Sequence, residues 1–202
     1  MIILFTGTPG TGKTSVASVL APILSCSLIS SSQLLRDMGE VLPDYTGRYT
    51  GVVLDEAISR GSEKLVEISK RGCVLFETIY PADWLRIDDV NLEVALIILL
   101  RTHPLTLLKR LQNKRWPEEK VIENVLAEAF NIIAEQLLPW EHDVIEVDTT
   151  QLTPREAAEA ILGRVMEWET GIRIDWLSDP IVEEEIPRWL SRLDSDKYRL
   201  GV

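Results

Sequence analysis

The chain has 202 residues, 46% hydrophobic and 26% charged, which suffices for one domain with a real core or one domain plus an appendage. A formal charge of −11 at pH 7 argues against a protein that holds nucleic acid through its bulk field. The longest apolar run, Val94–Leu100, is seven residues and too short for a membrane span, and Met1–Phe5 shows no leader pattern, so a cytoplasmic protein is expected.

Met1–Phe5 is apolar at every position and predicts a buried strand of a parallel sheet. Gly7-Thr8-Pro9-Gly10-Thr11-Gly12-Lys13-Thr14 follows, matching Gly, four residues, Gly-Lys-Ser/Thr, and leads into a helix over Lys13–Leu24 with Pro22 near its end. Cys26–Ile29 predicts a second strand. Ser30-Ser31-Ser32 before Leu34-Leu35-Arg36 predicts a capped short helix. Met38–Gly51 has no period and reads as an excursion. Val52–Arg71 predicts a helix with Asp55 and Glu56 in its first turn; Gly61 argues against one unbroken helix. Cys73–Glu77 and Val94–Leu100 predict strands three and four. Pro104–Arg115 predicts a helix, and Glu118–Leu138 predicts a single long one behind Pro117. Asp143–Asp148 predicts strand five, and Thr153-Pro154-Arg155-Glu156 a capping box opening a helix to Glu169. Cys26 and Cys73 lie in apolar runs and are expected as reduced, buried thiols.

Strands alternating with helices predict an α/β fold, a parallel sheet covered on both faces. A glycine-rich loop between strand and helix exposes backbone N–H groups as an anion nest, and the helix N-terminus adds positive potential. Gly7, Gly10 and Gly12 shape it, Lys13 is placed to reach the outer phosphates of a nucleoside triphosphate, Thr14 to hold Mg²⁺, and Ser15 to contact the inner phosphates.

Such loops work with an acid at another strand end that supports the metal. Glu77 is the better candidate; Val52-Val53-Leu54-Asp55-Glu56 reads rather as a helix start. Asp44-Tyr45-Thr46-Gly47 matches the GTPase Asp-x-x-Gly pattern but follows no buried strand, and Asn113-Lys114-Arg115-Trp116 begins like the guanine-reading motif but lacks its aspartate, which disfavours a GTPase. Arg101 ends strand four, and Lys109, Arg110, Lys114 and Arg115 cluster before the long helix, on the side where phosphoryl charge needs neutralising. His103 reads as a cap, and the six tryptophans as packing.

The loop, with Ile29-Ser30-Ser31-Ser32-Gln33-Leu34-Leu35-Arg36, resembles the nucleoside monophosphate kinases. Leu100-Arg101-Thr102-His103-Pro104, Lys114-Arg115-Trp116 and Glu118–Glu128 resemble the small adenylate kinase isoenzyme 6 type within them. The resemblance covers roughly residues 1–169. It implies a P-loop fold with strand order 2-3-1-4-5, a kinase domain over 1–171, an AMP-binding insert at about 31–64, and a short lid at about 114–123. It also implies Ser31 and Arg36 on the AMP side, Arg115 on ATP phosphates, and Asp148-Thr149-Thr150 by the adenine. Residues 172–202 have no counterpart and are expected to pack on the domain as a helical strap. Where the family has an Asp-x-His pair, this chain has Glu77-Thr78-Ile79: the acid is one methylene longer and the histidine is absent, which weakens hydrolysis more than phosphoryl transfer.

The implied activity is transfer of the ATP γ-phosphoryl group to AMP with Mg²⁺, with ATPase activity as a side capacity. Lys13, Arg115 and Glu77 are the expected catalytic residues, and Thr14 and Glu77 the expected metal residues. Two alternatives stand beside it: an ATP-dependent assembly factor that binds a small-subunit ribosomal protein, and a kinase for another nucleoside monophosphate or small acceptor.

Overall fold

The computed structural model describes residues 1–40, 55–86 and 92–197, the last four by backbone alone. The Asp44–Gly47 match, the apolar run before Asp55 and most of the excursion after Met38 lie outside the described residues.

Five strands form one parallel sheet: β1 (Ile2–Gly7), β2 (Cys26–Ser30), β3 (Cys73–Glu77), β4 (Val94–Arg101) and β5 (Val144–Asp148). Their spatial order is β2-β3-β1-β4-β5, as the resemblance implied. The helices are α1 (Lys13–Ile23), α2 (Ser31–Asp37), α3 (Asp55–Ser69), α4 (Pro81–Leu85), α5 (Pro104–Asn113), α6 (Glu118–Ala129), α7 (Ile132–Leu137), α8 (Pro154–Glu167) and α9 (Pro180–Lys197). Among the described residues, no helix is long and apolar enough to cross a membrane.

The unbroken apolar strands follow from burial on both faces. Ile3, Phe5, Ile98 and Leu100 pack with Val16 and Leu20 of α1 and Ala157 and Ile161 of α8. Their neighbours in sequence, Leu4, Ile97 and Leu99, turn to the opposite face and meet Ile133 and Leu137 of α7. On that same face Ile2, Val74 and Phe76 pack with Leu35, Ile58, Leu65 and Trp84. A further cluster forms away from the sheet, where Val182 and Trp189 of α9 bury against Leu107, Leu111, Val125 and Leu126 of α5 and α6. The strap is thus fastened through apolar area as well as by the polar contacts described below.

Local sequence accounts for the helix starts. Thr153 Oγ1 accepts from Glu156 N at 3.3 Å and Glu156 Oε2 accepts from Thr153 N at 2.8 Å, the reciprocal box expected before α8. His103 Nδ1 accepts from Leu105 N at 3.3 Å and caps α5.

Three expectations are corrected. The helix after Pro117 is not continuous to Leu138: Asn131 adopts a left-handed conformation (φ 57°) and separates α6 from α7. Asn131 is held there by tertiary contacts, its Oδ1 accepting from Arg101 Nη2 at 2.5 Å and its Nδ2 donating to Asp175 at 2.7 Å. Helical spacing carries no trace of such partners. Second, Gly61 does not interrupt α3; a β-carbon there would stand 2.8 Å from Trp84 Cη2, so the glycine serves close packing against the indole. Third, Cys26 and Cys73 are not free thiols. They lie opposite each other in the β2–β3 register, with Cα atoms 4.4 Å apart, and form a disulfide.

Candidate functional site

β1 lies between β3 and β4, and its end, Gly7, is the point where chain connections leave to either side. In an open parallel sheet this is where a crevice forms. Phe5 pairs with Glu77 and Gly7 with Leu100, so the ends of β3 and β4 flank the loop. Ser30 pairs with Glu77, which brings the start of α2 and Ser31 to the same edge.

Residues 7–14 form the loop that the motif predicts. Gly7, at φ 143°, is pressed against the Leu100 carbonyl, where no β-carbon would fit. Gly10, at φ 99°, leaves a β-carbon only 2.7 Å from Leu107 Cδ1. Lys13 is 6% exposed, and its Nζ donates to the carbonyls of Gly7 (2.7 Å) and Thr8 (3.1 Å). Burial lowers the Lys13 ammonium to about 8, against the opposing pull of Glu77 and Glu128, with Lys114 adding repulsion. A buried, sparsely solvated ammonium held by two loop carbonyls can exchange them for the oxygens of an anionic ligand.

Thr14 Oγ1 donates to Glu77 Oε1 at 2.9 Å, an exposed pair at the loop mouth. These are the two residues that sequence put forward for Mg²⁺, and the fold brings them together. Hard oxygen donors few in number suit Mg²⁺, which keeps waters and phosphate oxygens as its remaining ligands. Among the described residues, no three His, Cys, Asp or Glu side chains converge on a metal-sized site.

Beside the loop lies a cavity of about 410 Å³, lined by Gly12, Ser15, Arg110, Lys114, Thr149 and Pro154 among others. Its size suits a nucleoside. Arg110 is fixed at its wall: Nη2 donates to Thr149 O at 2.7 Å and Nη1 to Thr102 Oγ1 at 3.1 Å. Burial lowers the Arg110 pKa, and Asp148 opposes that shift. Thr149 Oγ1 lies 2.8 Å from Thr11 O, so the turn after β5 braces the loop. Sequence grouped Arg110 and Lys114 with a basic cluster; that both line the cavity follows only from the way α5 runs back past the loop.

Other predicted residues take different places. Arg36 is exposed on α2, where it donates to Gln33 Oε1 at 2.9 Å. Arg115 is exposed in the turn between α5 and α6, in a left-handed conformation (φ 55°). Lys114 and Lys120 both lie against the Trp116 ring, at 5.4 and 4.8 Å from its centroid. Arg101, at a strand end that could have faced phosphate, is 1% exposed and is consumed in a buried network. It donates to Glu128 (2.9 Å), Glu146 (2.9 Å) and the Ile174 carbonyl (3.1 Å). Sequence reading missed Glu128 and Glu146. A glutamate on the apolar side of α6 and one inside the apolar run of β5 were the available signals.

A family model described as an AAA domain matches residues 3–131. A protein of Saccharolobus islandicus named "Putative adenylate kinase" is 30% identical over 200 residues, which is 97% of this chain and 100% of that one. A Pyrococcus furiosus protein of the same name is 35% identical over 193 residues, 93% of this chain and 96% of that one. Among solved structures, a shikimate kinase from Acinetobacter baumannii superposes with a TM-score of 0.59 at 19% identity, covering 83% of this chain and 94% of its own. A deoxyadenosine kinase from M. mycoides superposes at 0.53 with 15% identity, covering 83% of this chain and 100% of its own. These two likenesses are of fold.

Proposed function

The chain belongs to the P-loop family of these archaeal proteins and of the AAA domain model, and on that premise we propose that it is a nucleotide kinase that passes the γ-phosphoryl group of ATP to AMP. The carrying observation is the pairing of Thr14 with Glu77 at the mouth of the loop, with the β2–α2 turn and Ser31 beside them. It supports a donor half and an acceptor half that meet at one point.

The cavity beside Gly12 takes the nucleoside of ATP, and Ser15 and the loop N–H groups take its inner phosphates. Lys13 exchanges its two loop carbonyls for β- and γ-phosphate oxygens. Thr14 and Glu77 are the residues that would hold Mg²⁺, which when bound would supply neutralisation of phosphate charge. Ser31 and Arg36 hold the AMP phosphate. An oxygen of that phosphate attacks the γ-phosphorus in line; the bond to the β–γ bridging oxygen breaks, and two ADP result. The attacking oxygen is already anionic, so no protein base is required. Arg115, in the turn between α5 and α6, moves over the transferring group and helps exclude water, which would otherwise accept it.

The resemblance to the isoenzyme 6 type supports a side capacity for ATP hydrolysis, and Glu77-Thr78-Ile79 in place of Asp-x-His weighs against its being large. A cytoplasmic location follows from the same reading, because that is where both nucleotides are abundant. Binding of a small-subunit ribosomal protein rests on the resemblance alone.

The test is to combine the protein with ATP, AMP and Mg²⁺ and follow ADP. ADP well above an ATP-only control is expected, and none above it overturns the proposal. A panel of nucleoside monophosphates measures the acceptor preference; a strong response to a different one moves the assignment to that acceptor.

A further inference from the structure

Glu128 is a buried carboxylate, 2% exposed, that accepts from four donors. One oxygen accepts from the Thr8 hydroxyl of the phosphate loop. The other accepts from Arg101 Nε at 2.9 Å, Thr102 N at 3.1 Å and Trp176 Nε1 at 3.0 Å. A carboxylate offers about four acceptor positions, two on each oxygen; here four donors converge on the group, three of them on Oε1. The loop, β4 and the strap meet on this single group.

Thr8 in turn organises the loop. Its carbonyl accepts from Thr11 N (3.2 Å), Thr11 Oγ1 (2.9 Å) and Lys13 Nζ (3.1 Å). A displacement of Thr8 therefore moves the groups that hold the triphosphate. On the far side, the strap supplies the donors that leave the buried charges satisfied. Arg173 N and Ile174 N donate to Glu146 Oε2 at 2.7 and 2.8 Å, and the Trp176 indole donates to Glu128. Arg101 bridges the two carboxylates, and the neutral donors of the strap complete their hydrogen bonding.

We propose that Glu128 is a positioning residue for the phosphate loop, oriented by Trp176, so that the C-terminal strap is a working part of the nucleotide site rather than a fastening. Loss of the indole donor frees Glu128 to rotate toward solvent; Thr8 loses its fixed acceptor, and the loop binds triphosphate less well. The second nucleotide, held by α2, is unaffected. This inference rests on the donor-side reading given above, and direct binding separates the two. If the unaltered protein fails to bind MgATP, that reading fails first.

The experiment is isothermal titration of MgATP into the intact chain and into Trp176→Phe, Thr8→Val and the double variant, with steady-state KM values for both nucleotides. Phenylalanine keeps the ring, and Trp176 is only half-buried, so the variant folds. Trp176→Phe is expected to weaken MgATP about 10- to 100-fold, in line with loss of a hydrogen bond to a charged group, while KM for AMP stays within about twofold. Thr8→Val is expected to weaken MgATP similarly, and the double variant no more than either alone, because both break one path. Wild-type affinity in Trp176→Phe, or factors that multiply in the double variant, would overturn the inference. So would a loss that falls equally on both nucleotides, the mark of general destabilisation.

Discussion

Thr14 and Glu77, 63 positions apart in sequence, share a hydrogen bond of 2.9 Å where the phosphate loop passes the end of β3. If this pair supports the metal, Glu77→Gln keeps the shape and removes the charge. Activity should fall about 10- to 100-fold with a raised Mg²⁺ requirement, while Glu77→Asp retains most of it. Rates against Mg²⁺ concentration measure this; an unchanged Mg²⁺ dependence in Glu77→Gln would assign the carboxylate to structure.

Lys13 gives a pH dependence with a definite sign. Its folded pKa of about 8 lies below the ordinary 10.5, so between these values the unfolded chain binds more protons and stability rises with pH. Ligand binding runs the other way. Above about pH 8 the ammonium is lost, and a bound polyphosphate draws the proton back, so MgATP affinity falls and proton uptake accompanies binding. Calorimetry in buffers of different ionisation enthalpy should detect that uptake at pH 9 and little at pH 7 in the native chain, and none at either pH in Lys13→Met.

The Cys26–Cys73 disulfide closes a loop of 47 positions. Chain entropy places its contribution at about 2–4 kcal/mol. Denaturant midpoints under oxidising and reducing conditions, and for the Cys26→Ser/Cys73→Ser chain, should differ accordingly. Nucleotide KM should hold, since the bridge joins the starts of β2 and β3 and the loop lies beyond their far ends.

Gly61→Ala sets two effects against each other. Helix propensity favours alanine by about 1 kcal/mol. The added carbon would meet Trp84 at 2.8 Å and Leu35 at 3.3 Å, and Trp84 is 2% exposed with no room to retreat. Overpacking costs about 1–3 kcal/mol, so the net change in urea unfolding should be destabilising, by up to about 2 kcal/mol.

Arg36→Ala should raise KM for AMP by about 10- to 100-fold, the worth of a charge-assisted hydrogen bond, and leave KM for ATP within about twofold. Initial-rate kinetics with each nucleotide varied in turn would show it. An equal effect on both would remove Arg36 from the acceptor side.

What could be read from the chain beforehand followed its local signals. The loop, the five strands and the capping box are each specified within ten residues, by glycine spacing, unbroken apolar runs and Thr-x-x-Glu. Glu77 could be picked out because it closes an apolar strand on the loop's own edge. The disulfide could not, since each cysteine sits in an unremarkable strand and only the β2–β3 register sets them opposite. Asn131 could not, since its left-handed turn is held by Arg101 and Asp175, 30 and 44 positions away. Arg101 suggested phosphate because a strand-end arginine commonly faces ligand; here its partners Glu128 and Glu146 turn it inward, and neither has a local signature.

The strap also closes something at the margin of the sheet. Gly171 N donates to Val144 O at 2.8 Å, and Gly171 forms a parallel bridge with Ile145. A terminal strand with unpaired N–H and C=O groups is a template for another chain. By laying one peptide along β5 before it crosses to α6, the segment after α8 covers part of that border. The opposite border, β2, is five residues long and tied to β3 by the disulfide. A chain shortened before Gly171 would therefore carry a newly open strand and be prone to self-association through it.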